Sequence, residues 1–252
     1  MSKIKIVAIG GGEIGRPGYP IETESIDKEI IRLSDKNHPK VLLIPTAIGD
    51  SDTYYPTFER YYGKMLGCKT DVLYLIKERL SKQEIERKIN QADIIYVGGG
   101  YTLRMLKVWR RLGVDNILEQ AGRRGTILSG ISAGAICWFK YGNSDTLKFG
   151  SSNSNKLIKI KGIGLIDLMA CPHYNVEKNR IPSLKRMIKK SGGIAIALEN
   201  CSALEVVGKE YRIITSLRAA KAYLLYKKNL NIIEEELLIL KEFRPLEELY
   251  SR

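Results

Sequence analysis

The sequence predicts an α/β fold in which a mostly parallel central sheet is covered by helices on both faces. Three observations support it: short apolar runs recur between residue 4 and about residue 140, glycine-rich turns follow several of them, and amphipathic stretches separate them. Parallel strands are buried on both faces and need a crossover helix between them. This alternation is therefore typical of a doubly covered parallel sheet.

Five strands are predicted in this region, because each is a short and almost wholly apolar run. They are Ile4–Ile9, Val41–Ile44, Val72–Ile76, Ile94–Val97 and Thr126–Ser129. Amphipathic spacing, as in Ile26, Ile30 and Leu33, predicts the helices between them. One of these helices begins at a capping box formed by Ser81 and Glu84.

Aromatic residues mark two further predicted helices. Asp52–Leu66 is predicted as a helix with an aromatic face, and a second helix is predicted after Gly134. The apolar residues assigned to that second helix are Ala135, Ile136, Trp138 and Phe139.

The chain after residue 140 is predicted to be less regular. Ser151–Lys156 is polar and is predicted as a loop, Ser183–Lys189 as a short helix and Ile194–Leu198 as a strand. No repeat or linker interrupts the sequence, so residues 1–252 are predicted to form a single domain. Two C-terminal β-hairpins are predicted, Ala203–Val207 with Tyr211–Ile214 and Ala222–Tyr226 with Ile232–Glu235. Residues 234–252 carry no functional prediction.

Composition excludes several classes of protein. The 252 residues are 44% hydrophobic and 27% charged, which excludes wholesale disorder. The longest apolar runs are too short to span a membrane. The N-terminus reaches glycine too early for a secretory signal peptide, so a cytoplasmic protein is expected.

The cysteine and histidine counts limit the available chemistry. The four cysteines form no C-x-x-C pair, which argues against a zinc ribbon and a disulfide framework. Only two histidines occur, His38 and His173. A His-rich metal site is thereby excluded, and neither a metal nor an organic cofactor is expected.

The segment Gly130–Gly134 has the G-x-S-x-G pattern of a nucleophile elbow, between a predicted strand and a predicted helix. A nucleophile in this tight turn has a strained backbone, so its neighbours must be small. The N–H of Ala133 can point at an oxyanion there. Ser132 is therefore the candidate nucleophile. The alternative is a glycine-rich turn whose serine only caps the helix.

A second glycine-rich loop, Gly98–Thr102, follows the neighbouring predicted strand. Because the carboxyl ends of parallel strands meet at one edge of the sheet, this loop can supply a second N–H to the same oxyanion. A phosphate-binding loop is the alternative. It is disfavoured, because the sequence contains neither G-x-x-x-x-G-K-[ST] nor a complete dinucleotide fingerprint.

A serine nucleophile needs a general base. His38 lies in a polar loop that enters a strand, at the wrong end of the sheet, whereas His173 begins a loop after an apolar segment. His173 is therefore the candidate base. The third member should be a carboxylate. Two candidates remain open: Glu199 at the end of a predicted strand, and Asp145 in a loop closer to the nucleophile.

Four ordered segments resemble the peptidase E and cyanophycinase family of serine peptidases. They are Val97–Thr102, Gly130–Ala135, Pro172–Asn175 and Ala197–Asn200, within a similarity that covers about residues 4–225. The resemblance implies a three-layer, flavodoxin-like fold of the class I glutamine amidotransferase type. It also implies a Ser-His-Asp/Glu triad that cleaves peptides after an N-terminal aspartate, or β-aspartyl-arginine links in a storage polymer.

The resemblance also implies roles for individual residues. It implies that Ser132 is the nucleophile and that His173 is the base. It further implies that Gly99 and Ala133 donate the hydrogen bonds to the oxyanion. Gly100 and Tyr101 would lie beside the substrate, and Tyr101 stands where the family usually has Asn. Peptidase E-like members carry the acid where Asp145 stands and cyanophycinase-like members where Glu199 stands. We prefer Glu199.

The predicted function is hydrolysis of small peptides by a serine peptidase of dipeptidase type. The alternative is a catalytically inactive basic α/β module that binds an acidic ligand or nucleic acid, suggested by the net charge of +13. No aromatic signature of RNA binding accompanies the scattered basic residues, so nucleic acid is not an expected partner. No membrane partner is expected, and a homodimer is an open alternative to a monomer.

Overall fold

Two β-sheets and the helices packed against them form the fold, taken from a computed structural model that describes residues 3–149 and 154–252. Residues 151–153 of the predicted loop Ser151–Lys156 lie outside the described residues. The strands are β1 (Lys5–Ile9), β2 (Lys40–Ile44), β3 (Lys69–Val72), β4 (Ile94–Val97), β5 (Ile127–Ile131), β6 (Phe139–Ser144), β7 (Ile158–Lys161), β8 (Ile166–Cys171), β9 (Ala195–Leu198), β10 (Ser202–Val207), β11 (Glu210–Thr215), β12 (Ala222–Lys228), β13 (Asn231–Glu236) and β14 (Arg244–Pro245). The helices are α1 (Glu24–Arg32), α2 (Tyr54–Phe58), α3 (Lys82–Gln91), α4 (Thr102–Leu112), α5 (Val114–Arg124), α6 (Ala133–Ile136) and α7 (Arg180–Ser191).

The larger sheet has the strand order β14-β11-β10-β1-β5-β4-β2-β3. Strands β1 to β5 pair in parallel, and β10, β11 and β14 extend the sheet in antiparallel pairing. The predicted parallel sheet is confirmed. The β10–β11 pair is the first of the two predicted hairpins.

The smaller sheet has the strand order β13-β12-β9-β8-β6-β7, with β6, β8 and β9 parallel. The β12–β13 pair is the second predicted hairpin. The prediction of a helix through Phe139 is wrong: α6 ends at Ile136, and Phe139 begins β6. Trp138 and Phe139 are fully buried in the core. Their apolar character therefore reports burial, which over so short a run fits a strand as well as a helix.

Two other predicted elements differ in extent or geometry. Strand β3 was expected at Val72–Ile76 but ends at Val72, because the chain leaves the ladder after Leu73 donates its N–H to the carbonyl of Leu43 at 2.9 Å. The predicted helix Asp52–Leu66 is α2 followed by a π-helical segment, Glu59–Met65. Three of its aromatic side chains are buried, namely Phe58, Tyr61 and Tyr62.

Both faces of the larger sheet are covered, as predicted. Helices α1 and α2 cover one face, while α3, α4, α5 and the smaller sheet pack against the other. The smaller sheet is buried on both sides as well. In β8, Leu168 and Ala170 point towards the larger sheet, whereas Met169 and Cys171 point towards α7. Over the described parts of the chain, no helix combines the length and the apolar character needed to cross a bilayer.

Candidate active site

The nucleophile elbow forms as its sequence predicts. Ser132 lies between β5 and α6 with φ of 56°, a backbone conformation that non-glycine residues seldom adopt. A Cβ on Gly134 would come within 2.1 Å of the Val97 carbonyl oxygen, and one on Gly130 within 2.5 Å of the Gly134 carbonyl oxygen. Both glycines are therefore required by close backbone packing. The turn is fixed further because the N–H of Ser132 donates to Ile9 at 3.0 Å.

His173 reaches this serine from the end of β8 in the smaller sheet. Its Nε2 lies 2.8 Å from the Oγ of Ser132. The backbone N–H of His173 donates to the carbonyl of Gly10 at 3.1 Å, so the loop after β1 holds the loop after β8 in place. The structure thus joins the candidate nucleophile and the candidate base, which are 41 residues apart in sequence.

The second ring nitrogen of His173 is held by an amide. Its Nδ1 lies 2.8 Å from the Oδ1 of Asn200. Because an amide oxygen only accepts hydrogen bonds, Nδ1 carries the proton and Nε2 is free to accept one from Ser132. Asn200 is itself anchored, since its backbone N–H donates to the side chain of Asn175 at 3.1 Å.

Neither predicted carboxylate is in contact with His173. The carboxylate of Glu199 accepts hydrogen bonds from the backbone of Lys221 at 2.9 Å and from the hydroxyl of Tyr223 at 3.4 Å. The carboxylate of Asp145 lies 3.4 Å from the guanidinium of Arg180. Glu199 and Asn200 lie in the turn between β9 and β10. There the N–H of Ser202 donates to the carbonyl of Glu199 at 3.2 Å, and Cys201 has a φ of 64°. In this turn the residue that reaches the imidazole is Asn200, the neighbour of the expected glutamate.

The glycine loop after β1, Gly10–Gly12, packs directly against His173 and against Asn200, the residue that contacts its Nδ1. A Cβ on Gly11 would lie 2.1 Å from the Oδ1 of Asn200 and 2.5 Å from the Nδ1 of His173. The carbonyl of Gly11 also accepts the N–H of Cys201 at 2.8 Å. This loop therefore lets the imidazole and the amide meet, a role that sequence analysis did not assign to it.

The predicted oxyanion donors lie beside the nucleophile. A Cβ on Gly99 would stand 3.4 Å from the Cβ of Ser132. Within residues 3–149 and 154–252, no backbone carbonyl accepts a hydrogen bond from the N–H of Gly99 or Ala133. The loop is held because Tyr101 donates its N–H to Ala47 at 2.8 Å. The N–H groups of Gly99 and Ala133 are therefore not used by the backbone of the described chain, as the predicted role of oxyanion donors requires.

A buried arginine lies behind the histidine. Arg180, the first residue of α7, is only 1% exposed. Its guanidinium donates to the carboxylate of Glu177 at 2.8 Å and to the backbone carbonyl of Asn143 at 2.6 Å, and it contacts Asp145. It joins the loop after His173 to the end of β6.

The surroundings favour a neutral histidine. Burial lowers the pKa of His173 from its ordinary 6.5, and the positive charge of Arg180 lowers it further. The hydrogen bond to Asn200 and the carboxylates of Glu177 and Asp145 oppose this shift. A base whose pKa is lowered stays neutral to more acidic pH, and in its neutral form it can accept the proton of Ser132. Elsewhere in the described chain, no group of three or more metal-ligating side chains is arranged to hold a metal ion.

Comparison with known proteins places this geometry in a family. Residues 6–214 match peptidase family S51. The chain belongs to peptidase family S51. It is 34% identical over 223 residues to the uncharacterized peptidase YgaJ of Bacillus subtilis (strain 168), covering 87% of this chain and 90% of that protein. It is 24% identical over 138 residues to the peptidase E of Streptomyces coelicolor, covering 54% of this chain and 51% of that protein.

A solved structure supports the same fold. The crystal structure of a peptidase from an acI-B1 Actinobacterium superimposes with a TM-score of 0.68, at 19% sequence identity, over 97% of this chain and 98% of that one. The predicted resemblance to peptidase E and the flavodoxin-like fold class are both confirmed. The chain is therefore a hydrolase, a peptidase of the serine-type S51 family.

In this S51 peptidase, three residues at the site were not predicted from the sequence, namely Asn200, Gly11 and Arg180. Asn200 stood inside the motif Ala197–Asn200, but the expectation of a carboxylate directed attention to Glu199. Gly11 lay in an obvious glycine-rich turn, although nothing local indicated what would pack against it. Arg180 gave no sequence signal, because an arginine in a polar segment is normally exposed.

Proposed function

We propose that this S51 peptidase hydrolyses small peptides through an acyl-enzyme formed on Ser132. His173 acts as the general base and acid, and Asn200 orients the imidazole. The observation that supports this most directly is the continuous chain of two 2.8 Å contacts from Asn200 through His173 to Ser132. A hydroxyl, an imidazole and an orienting group in this order are what nucleophilic acyl transfer requires.

The acylation step follows from the contacts. Ser132 Oγ attacks the scissile carbonyl carbon while His173 Nε2 takes the hydroxyl proton. The carbonyl oxygen becomes an oxyanion and accepts hydrogen bonds from the N–H groups of Gly99 and Ala133. When the intermediate collapses, the C–N bond breaks, and the imidazolium gives its proton to the departing amine.

Deacylation repeats this chemistry with water as the nucleophile. The oxygen of a water molecule attacks the ester carbonyl while His173 takes a proton from that water. The N–H groups of Gly99 and Ala133 stabilise the second oxyanion. The acid product leaves with the new C–O bond, and the proton returns from His173 to Ser132 Oγ. The enzyme is thereby regenerated, and the overall reaction consumes one water per bond.

Asn200 can hold the ring without adding charge. Its amide oxygen fixes the Nδ1–H tautomer and stabilises the imidazolium through a dipole. A carboxylate would add a full charge and would raise the pKa of His173. The combination of an amide with a buried imidazole therefore favours a base that remains neutral at mildly acidic pH.

The substrate proposal is a small peptide, with Asp-X and β-aspartyl dipeptides as the first candidates. This proposal rests on family membership and on the small residues around Ser132. Tyr101 stands beside the glycine loop where the family usually has Asn. The acyl-side preference of this chain therefore has to be measured against non-aspartyl dipeptides.

The test compares wild type with Ser132→Ala on a panel of Asp-X, β-aspartyl and general dipeptides. We expect wild type to hydrolyse at least one class, and Ser132→Ala to lower kcat/KM by about 10³-fold or more, because the hydroxyl that forms the ester is removed. Circular dichroism should show both proteins equally folded. Turnover retained by Ser132→Ala would refute the acyl-enzyme. A wild type that cleaves nothing on the panel would favour the inactive binding module.

A further inference from the structure

The outward face of α4 is a stripe of positive charge. This helix contains four basic residues and no acidic one. All four are exposed, and three of them, Arg104, Lys107 and Arg111, recur at intervals of three and four residues. That spacing places them on one side of the helix. Like charges arranged in this way repel one another unless an anion lies between them.

Several basic side chains on other helices are paired with acidic side chains, although others, such as the exposed Lys189 and Lys190 on α7, are not paired within the described chain. Lys28 forms an ion pair with Glu24 at 2.6 Å, Arg123 with Glu119 at 2.7 Å, and Lys185 with Glu234 at 2.7 Å. On α4, by contrast, neither Lys107 nor Arg111 is within ion-pair distance of any acidic group of the described chain.

Arg104 and Glu78 are two further charged residues at this face of α4. Arg104 donates to the carbonyl of Ala47 at 3.1 Å, which fixes its guanidinium but leaves its charge unpaired. Glu78 lines the adjoining cavity with Arg111 but forms no ion pair with it. The α4 face is therefore a place where the protein offers fixed positive charge.

These three cations line a groove at the start of α4, close in sequence to the glycine loop beside Ser132. The groove has a volume of about 410 Å³, and Tyr101 and Val108 complete its wall. Tyr101 is two residues from Gly99, where an added Cβ would lie 3.4 Å from the Cβ of Ser132. Helix α4 begins at Thr102. The groove therefore starts where the chain leaves the glycine loop beside Ser132, and it extends along the helix.

We propose that this groove binds the acidic portion of the peptide substrate on the leaving-group side of the scissile bond. The inference rests on the proposed function, since it concerns the same site. From Arg104 to Arg111 the helix rises about 10 Å, which an extended chain spans in about three residues. The fitting occupant is therefore a peptide with about three successive acidic residues.

Charge complementarity favours an acidic peptide over nucleic acid. The cations of α4 form one narrow stripe, and the helix that carries them begins directly after the glycine loop beside Ser132. Nucleic acid would need a wider field of phosphate contacts. The basic residues named on α1, α5 and α7 are engaged by acids.

The test uses a dipeptide that wild type cleaves, extended at its C-terminus by three Glu or by three Gln. We expect wild type at low salt to show a kcat/KM about tenfold higher for the Glu peptide, through KM, as three exposed charge pairs would give. In Lys107→Gln/Arg111→Gln this ratio should fall towards one. The matched control is Lys189→Gln/Lys190→Gln, two exposed lysines on α7, which should keep the wild-type ratio. Raising the ionic strength should lower the ratio in wild type.

A binding measurement separates this inference from the proposed function. Fluorescently labelled versions of both peptides are titrated into Ser132→Ala, with and without the two α4 substitutions. If wild type cleaves neither peptide but Ser132→Ala binds the Glu peptide through α4, the proposed function fails and the groove stands. If both peptides are cleaved and bound equally, the groove is refuted. A labelled oligonucleotide that binds more tightly than the Glu peptide at equal salt, and displaces it, would also overturn the proposal.

Discussion

The two sheets contribute to the active site in different ways. The larger sheet carries the candidate nucleophile and the candidate oxyanion loop directly at its strand ends, since Ser132 follows β5 and Gly98 follows β4. The smaller sheet carries His173 after β8. Asn200 lies between β9 and β10, where the chain passes from the smaller sheet to the larger. The histidine and its orienting residue therefore depend on how the two sheets meet.

The conformation of Ser132 is therefore determined locally, whereas the position of His173 is determined by tertiary contacts. The conformation of Ser132 follows from steric limits within five residues, Gly130 to Gly134. The position of His173 follows from hydrogen bonds between loops of different sheets, such as its N–H to Gly10 at 3.1 Å. Substitutions in the second set should therefore reveal whether the junction between the sheets is what organises catalysis.

The largest effect is expected at His173. His173→Ala should lower kcat/KM by about 10³-fold or more, because Ser132 then has no base and the leaving amine no acid. The control is His38→Ala, since His38 is an exposed loop residue whose Nδ1 contacts only the carbonyl of Gly67, at 2.7 Å. Peptide hydrolysis by both variants is measured under identical conditions. Activity of His173→Ala within tenfold of wild type would show that the smaller sheet does not supply the base.

The parallel part of the fold was largely predictable, and the junction between the sheets was not. Buried parallel strands are apolar throughout, so β1, β2, β4 and β5 stood out from their neighbours. The G-x-S-x-G elbow is a local steric pattern and was equally visible. The second sheet was harder to predict, because β6 follows the elbow helix without a polar break.

The choice of the third catalytic group depended on side-chain direction. Glu199 and Asn200 are adjacent, and both follow β9, so position along the chain cannot distinguish them. What separates them is that the chain after β9 directs Glu199 to the backbone of Lys221 and Asn200 to His173. A one-residue difference in direction of this kind is set by tertiary hydrogen bonds and leaves no trace in composition or spacing.

An intermediate effect is expected at Asn200. Asn200→Ala should lower kcat/KM by about 10- to 100-fold, because the imidazole loses the acceptor that fixes its tautomer while Ser132 and the oxyanion donors remain. Glu199→Gln should change kcat/KM by less than about threefold, as should Asp145→Asn, since neither carboxylate contacts the histidine. Steady-state kinetics on one dipeptide compare the three variants, with thermal unfolding to check their folding. A larger loss of kcat/KM in Glu199→Gln than in Asn200→Ala would show that Glu199, and not Asn200, orients His173.

The smallest effect, and the most specific, is expected in the pH profile of Asn200→Asp. In wild type, burial and the charge of Arg180 lower the pKa of His173 below its ordinary 6.5, so the acidic limb of kcat/KM should fall below pH 6.5. Only neutral His173 can act as the base, and activity is lost as the pH drops through its pKa. A carboxylate at position 200 favours the imidazolium and raises that pKa. The acidic limb should therefore move to higher pH.

Asn200→Asp should also change the plateau that kcat/KM reaches at alkaline pH. There the imidazole is neutral in both proteins, and a carboxylate would stabilise the imidazolium formed in the transition state. Asn200→Asp should therefore match or exceed wild type by several-fold above pH 8, while losing activity earlier on acidification. Asn175→Asp serves as the control, because Asn175 contacts the backbone of Asn200 and not the imidazole. If both variants shift the limb equally, general charge and not the contact at Nδ1 governs His173. If neither shifts it, Asn200 does not face the catalytic imidazole in solution.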